Sequence, residues 1–136
     1  MEREDKELLL KDLCARLPYG VKAKYYGSAE ECECCDTIEG IYPMDDEIVI
    51  GQYGLSVDMI KPYLFPLSSM TEEQKKKYNC LKHTVFGYHY EYGDVVEEIE
   101  LYDSPESFEY LIENHFDYRG LIPKGLANDA TGLNIY

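Results

Sequence analysis

The chain lacks several features that would place it in a familiar class of protein. It contains no tryptophan, and no apolar run approaches the roughly 18 residues that a membrane-spanning helix needs. The run Leu8-Leu9-Leu10, which follows a mixed and acidic start, is too short for the core of a signal peptide. We therefore expect a soluble, cytoplasmic protein that does not enter a membrane.

Positive charge is absent from two long stretches of the sequence. Residues 25–60 hold nine Asp or Glu, residues 83–118 hold ten, and neither stretch contains Lys or Arg. The rest of the chain offsets these 19 acids only slightly, to a net charge of −14. Such a surface repels phosphate backbones and anionic membranes, so we expect no direct binding of nucleic acid or membrane. It attracts a basic or DNA-binding protein as the partner.

A sharper version of this hypothesis is that the acidic surface imitates DNA and inhibits a DNA-binding enzyme. Duplex DNA carries one charge per about 1.7 Å of its axis, so 19 charges correspond to about 32 Å, close to one helical turn. The imitation requires that nearly all of these acids share one face of the fold. DNA mimicry therefore stands as the first alternative.

Catalytic motifs are also missing from the sequence. The chain has no G-x-S-x-G, phosphate-binding Gly-rich loop, H-E-x-x-H or dinucleotide fingerprint. The weak candidates for acid–base chemistry are His115, Asp117 and Arg119, which share one face if the segment is extended. The alternative is structural, with a charged His115 at a helix C-terminus and an Asp117–Arg119 pair that fixes the exit loop. We therefore lean towards a protein that is not an enzyme.

Five cysteines occur in the chain, and without a signal peptide we expect them to be reduced thiols. The cluster Cys32, Cys34 and Cys35, together with Cys80 and His83, offers the ligand types that zinc prefers. Two thiolates of the cluster with Cys80 and His83 would complete a tetrahedral set. Adjacent thiols rarely converge on one ion, however, so no metal is favoured. Neighbouring acids raise thiol pKa values, which makes these cysteines poor nucleophiles.

Tyrosine is abundant, with 14 residues, and its apolar ring with a polar tip is common at protein interfaces. Alternation along one strand places Tyr88, Tyr90 and Tyr92 on one face, with His89 and Glu91 on the other. If the tyrosine face is uncovered, it is a recognition surface. Its expected acidic rim comprises Glu97, Glu98 and Glu100. The alternative is that these rings form the core of a sheet.

Hydrophobic periodicity and turn signals predict an α+β fold in a single domain over residues 1–136, with a largely antiparallel sheet and about three helices. The helices are expected at 3–16, from the capping box at Thr71 to Leu81, and after the Ser104 cap, with an apolar stripe at Phe108, Leu111, Ile112 and His115. The strands are expected at 21–25, 37–42, 47–53, 84–92 and 95–102, with a turn at Gly93-Asp94. Pro62 and Pro66 predict that residues 61–67 are extended but not a central strand. The tail from Gly120 is expected to be irregular.

Three segments resemble an uncharacterised family of small acidic proteins from gut-bacterial genomes, often in prophage or other mobile-element settings. They are Leu8–Val21, with its L-P-Y-G-V ending, Lys61–Glu73 and His115–Ile122. The resemblance covers most of the chain, although relatives are expected to differ around Cys32–Cys35. It implies a setting and no established activity. That setting favours an interaction protein or an antagonist of host defence over a metabolic enzyme.

The sequence thus leads to one main hypothesis, a non-catalytic protein–protein interaction module with an acidic, tyrosine-bearing surface. The alternatives are a DNA-mimic inhibitor and a small zinc-binding domain. The identity of the partner and the oligomeric state do not follow from the sequence.

Overall fold

The computed structural model describes residues 1–26 and 33–136. Within these residues the fold is α+β, with three α-helices and nine strands in mostly antiparallel sheets, as expected. The described chain divides into two compact units, residues 1–69 with 112–136 and residues 70–111. None of its helices is both long and apolar enough to cross a membrane.

The helices are α1 (Arg3–Arg16), α2 (Glu72–Leu81) and α3 (Pro105–Glu113). The strands are β1 (Lys22–Tyr26), β2 (Glu33–Tyr42), β3 (Glu47–Ile50), β4 (Tyr53–Ser56), β5 (Ile60–Pro66), β6 (His83–Glu91), β7 (Asp94–Tyr102), β8 (Phe116–Asp117) and β9 (Asn128–Asp129).

The first unit is a sheet of seven strands with α1 packed against it. The strand order is β4-β3-β2-β1-β5-β8, and β9 also pairs with β5. All pairings are antiparallel except those of β5 with β8 and β9. Leu9 and Leu13 of α1 are fully buried in the core together with Val21, Ile48 and Leu64. Leu121 and Leu126 of the tail belong to the same core.

Two predicted elements of this unit were wrong. Residues 47–53 are not one strand, because Gly51 and Gln52 adopt positive φ angles of 55° and 70° and turn β3 back into β4. The proline-bearing segment is a true sheet strand, β5, with neighbours on both sides. The prolines are compatible with this position because Pro62 is paired only with β1 and Pro66 only with β8.

The second unit consists of α2, the β6–β7 hairpin and the first turns of α3. Thr71 and Gln74 form the predicted capping box of α2, and Ser104 caps α3 by accepting the Ser107 N–H at 3.0 Å. The Tyr78 hydroxyl donates to Asp103, and the Ser104 hydroxyl donates to the Leu81 carbonyl. These contacts join the end of α2 to the residues that follow β7. They therefore hold the start of β6 and the end of β7 in place at the open end of the hairpin.

The buried side of α3 differs from the predicted stripe. Ser107, Tyr110 and Leu111 are buried, whereas Phe108 is 40% exposed. Tyr110 stacks on Tyr78 of α2 with ring centroids 6.5 Å apart. The buried side of α3 is therefore the side that carries Tyr110 and contacts Tyr78. It is rotated about the helix axis from the stripe that periodicity predicts.

A fully buried ion pair lies inside the first unit. The Arg16 Nε atom is 2.7 Å from Asp12 Oδ2, and neither side chain is exposed to solvent. Arg16 also donates to the Phe116 carbonyl at 2.6 Å, and Arg119 Nε lies 3.2 Å from Asp12 Oδ1. Asp12 thus provides the counter-charge for two arginines, and the group connects α1 to the start of the tail.

We expect Asp12→Asn to lower the free energy of unfolding by about 3–5 kcal/mol, because it leaves the buried Arg16 guanidinium without a counter-charge. The measurement is urea denaturation followed by circular dichroism. Glu7→Gln is the matched control on the same helix, since its pair with Arg3 is exposed and its loss should be nearly neutral. Equal effects of the two substitutions would contradict the role assigned to Asp12.

Candidate functional site

The β6–β7 hairpin carries the residues that the sequence nominated as an interaction surface. Nine antiparallel pairs run from His83–Tyr102 to Glu91–Asp94. The turn is Tyr92-Gly93, one residue earlier than predicted, with φ angles of 51° and 84°. Positive φ at both positions is the type I′ geometry that matches the twist of a two-residue hairpin. The non-glycine Tyr92 is therefore held at the tip, 98% exposed.

The pairing sorts the side chains onto two faces, because paired residues share a face and successive residues alternate. We call one the aromatic face. It comprises Thr84, Phe86, Tyr88, Tyr90, Val95, Glu97, Ile99 and Leu101. We call the other the acidic face. It comprises His83, Val85, Gly87, His89, Glu91, Asp94, Val96, Glu98, Glu100 and Tyr102.

The aromatic face is exposed at all eight positions. The exposed fractions of its large apolar side chains are 62% for Phe86, 73% for Tyr88, 81% for Tyr90, 60% for Val95, 61% for Ile99 and 46% for Leu101. The alternative that these tyrosine rings form the core of a sheet is therefore wrong. Large contiguous apolar patches on soluble proteins usually mark contact sites.

The acidic face carries four carboxylates and neither Lys nor Arg. The His89 ring lies between two of them, with Nε2 3.7 Å from Glu91 and Nδ1 3.7 Å from Glu98. Glu100 accepts a hydrogen bond from the hydroxyl of Tyr102, which raises the pKa of that tyrosine. The face therefore presents a concentrated negative surface along one side of the hairpin.

The seven residues predicted as an interaction surface all lie on this hairpin, but not on one side of it. Tyr88, Tyr90 and Glu97 share the aromatic face. Glu91, Glu98 and Glu100 share the acidic face, and Tyr92 lies in the turn. The expected rim of Glu97, Glu98 and Glu100 is thus divided between the two faces by the alternation of the strand.

Four apolar residues of the aromatic face were not nominated from the sequence. They are Phe86, Val95, Ile99 and Leu101. The signal that could have found them is alternation, because it places Phe86 on the face of Tyr88 and Tyr90, and a two-residue turn brings Val95, Ile99 and Leu101 to the same face. A turn at Gly93-Asp94 would give the same two faces and change only the cross-strand pairs.

The arrangement of acids bears on DNA mimicry, which needs nearly all 19 on one face. Within the hairpin, Glu97 points to the side opposite Glu91, Glu98 and Glu100. Asp117 is buried, and its two carboxylate oxygens accept the N–H groups of Leu121 and Ile122 at 2.9 Å. The described acids thus do not form the single row that motivated this alternative, and DNA mimicry stays a prediction.

The three residues considered for acid–base chemistry do not point to a common site. Asp117 accepts the two backbone N–H groups of the turn that follows it, and Arg119 is paired with Asp12. His115 adopts a positive φ of 64° and stacks on Tyr136, with ring centroids 3.6 Å apart. Each side chain therefore has its own structural contacts, and those of His115 and Arg119 are with residues distant in the sequence. The predicted Asp117–Arg119 pair is replaced by these separate contacts.

Burial of the His115 ring, together with the nearby charges of Arg16 and Lys22, lowers its pKa to about 4. The imidazole is therefore neutral at pH 7, contrary to the expectation of a charged histidine at the end of a helix. A neutral ring fits its stacked position against Tyr136, whose hydroxyl donates to the Tyr63 carbonyl at 2.7 Å.

We expect the stability contributed by His115 to fall as the pH falls from about 6.5 to about 4, because in this window the unfolded chain binds a proton that the folded chain excludes. In urea denaturation, the stability difference between the wild type and His115→Asn should shrink by about 1–2 kcal/mol over this range, allowing for partial exposure of the ring. Asparagine is chosen because it tolerates positive φ. A difference that does not change with pH would contradict the assignment.

The proposed zinc ligands lie partly outside the described residues. Cys32 is not described, and of Cys34 only the backbone, which pairs with Tyr25 in the sheet, is described. Cys35 lies in β2, Cys80 in α2 and His83 in β6, and Cys35 and Cys80 are exposed. Partial removal of the thiol from solvent, with the nearby charge of Asp36, raises the pKa of Cys35. Over residues 1–26 and 33–136, no three or more His, Cys, Asp or Glu form a group that could hold a metal ion, and the four-ligand set stays a prediction.

Two cavities of the first unit have the size of small ligand pockets. One, of about 330 Å³, is lined by Lys24, Asp58, Met59, Ile60, Lys61 and Asn128. The other, of about 290 Å³, lies along α1 and is lined by Arg3, Glu7, Leu10, Lys11, Cys14 and Pro43. Neither contains His115, Asp117 or Arg119, so neither gathers the candidates for acid–base chemistry.

No protein-family model, curated protein or solved structure matches this chain.

Proposed function

We propose that this protein is a non-catalytic interaction module that binds a basic protein through the β6–β7 hairpin. The observation that carries the proposal is the acidic face. It presents four carboxylates, one from β6 and three from β7, and neither strand contains Lys or Arg. A surface of one sign attracts a partner of the opposite sign and speeds its association.

The geometry of the hairpin supports a role in binding. Within residues 1–26 and 33–136, β6 and β7 pair only with each other, and all four acidic-face carboxylates are exposed. Tyr92 adds a fully exposed aromatic ring at the tip, of the kind that is enriched in interface hot spots. The contacts of Tyr78 and Ser104 at the open end limit the freedom of the hairpin, which lowers the entropy lost on binding.

The setting we propose is that of a cytoplasmic accessory protein of a prophage or other mobile element, which rests on the resemblance of the three segments described above. In that setting a basic or DNA-binding host protein is the natural target. DNA mimicry is then the special case in which the partner binds the hairpin with the same surface that it uses to bind DNA.

We expect reversal of the four acidic-face carboxylates, Glu91, Asp94, Glu98 and Glu100, to Lys to abolish capture of the partner from nuclease-treated host cytosol, as read by mass spectrometry. The matched control reverses four exposed acids of the first unit, Glu2, Glu4, Glu39 and Asp45, and changes the net charge equally. The control should keep the partner, and circular dichroism should show both variants folded.

The captured protein, once purified, should bind the wild type with an affinity that weakens as salt rises, since exposed charges are screened. Equal binding by the acidic-face variant and the wild type would refute the proposal. Competition by duplex DNA would identify mimicry, whereas simultaneous binding of DNA would identify a separate contact site on the partner.

A further inference from the structure

The aromatic face of the hairpin is an apolar surface large enough to form an interface. Six of its eight side chains are aliphatic or aromatic and 46–81% exposed. With 150–250 Å² for each aromatic side chain, the exposed side-chain area is roughly 700 Å². A stable protein–protein interface buries about 800 Å² on each partner. The face therefore has nearly the area that a specific dimer needs.

A two-stranded hairpin also gains stability when another layer packs on its apolar face. Isolated two-stranded hairpins are marginally stable in water, and they become stable when a further strand or layer packs on their apolar face. Here the exposed face extends over four cross-strand pairs, from Thr84–Leu101 to Tyr90–Val95. Packing against another sheet would remove these side chains from water.

The two strands of this face carry different kinds of apolar side chain. The side chains of β6 are aromatic at Phe86, Tyr88 and Tyr90, whereas those of β7 are aliphatic at Val95, Ile99 and Leu101. A two-fold axis parallel to the strands places β6 of each copy over β7 of the other. Ile99 then lies over Phe86 of the second copy, and Val95 over Tyr90 of the second copy.

The same two-fold rotation places a hydrogen-bond donor opposite Glu97, the one charged residue of the aromatic face. Glu97 is paired with Tyr88 in the hairpin, so a two-fold axis along the strands brings Glu97 opposite Tyr88 of the second copy. A phenol hydroxyl can donate to a carboxylate at that position. The other hairpin acids lie on the acidic face, so like charges are kept on the outside of the pair.

We infer that the aromatic face binds a second copy of this chain and forms a two-fold dimer. Its two hairpins pack as a four-stranded, two-layer sandwich with the sheets about 10 Å apart. The acidic faces point outward and remain available to the basic partner. A basic partner does not fit the aromatic face equally well, because this face offers a single carboxylate.

The first test compares Phe86→Glu with Val85→Glu in the purified full-length chain. The two residues are neighbours on β6, both are exposed, and they lie on opposite faces. Sedimentation velocity should find the wild type and Val85→Glu dimeric at micromolar concentration. Phe86→Glu should weaken the dimer at least about 30-fold, the effect of an interface hot spot. Circular dichroism should find all three folded.

The second test uses substitutions that remove charge without adding bulk, so that folding is not at risk. Glu97→Gln should strengthen the dimer several-fold, because the amide still accepts a hydrogen bond from Tyr88 without the cost of burying a charge. Glu98→Gln, the next residue in the chain but on the acidic face, should leave the dimer unchanged.

A wild type that stays monomeric throughout the micromolar range would overturn the inference. So would a dimer that Phe86→Glu and Val85→Glu affect equally, or one that Glu97→Gln does not strengthen. These outcomes are independent of partner capture, which depends on the four carboxylates of the acidic face. The dimer inference can therefore be refuted while binding of a basic partner is confirmed, and binding of a basic partner can be refuted while the dimer is confirmed.

Discussion

The Arg16 guanidinium is the central polar contact of the first unit, because it connects α1 to Phe116, a hundred residues further along the chain. It is fully buried, pairs with Asp12 on its own helix, and donates to the carbonyl of Phe116. Arg16 and Arg119 both lie over the ring of Tyr118, at 5.6 and 4.8 Å from its centroid. A buried charge tolerates few arrangements, so these contacts restrict the path of the tail as it returns to the sheet.

The segment 115–119 resembles a catalytic motif, although its side chains have separate structural contacts. Histidine, aspartate and arginine at alternate positions are an arrangement that acid–base chemistry uses, but here His115 stacks on Tyr136 and Arg119 pairs with Asp12 of α1. Asp117 satisfies two N–H groups of an irregular turn, which would otherwise be unpaired in a partly buried position. These separate contacts account for the positions of the three side chains in the structure.

A different constraint governs the hairpin, namely the two-residue period of a β-strand. This period places adjacent residues such as Glu97 and Glu98 on opposite sides, so a sequence rich in both tyrosine and acid becomes two distinct faces. The existence of the hairpin and the alternation of Tyr88 and Tyr90 followed from the sequence. The same alternation also separates Glu97 from Glu98 and Glu100, and it does so for a two-residue turn at either Tyr92-Gly93 or Gly93-Asp94. The turn decides only which residues pair across the strands, for example Tyr88 with Glu97.

Local signals in the sequence determined the parts of this protein that depend on neighbouring residues. They include the extent of α1, the capping box at Thr71, the cap at Ser104 and the α+β class. Only the tertiary structure decided the rest: the burial of Asp12 and Arg16, the position of β5 within a sheet despite its prolines, and the rotation of α3 that exposes Phe108. The reason is physical. Caps, turns and periodicity involve contacts within a few residues, whereas burial and charge pairing depend on segments that meet only when the chain has folded.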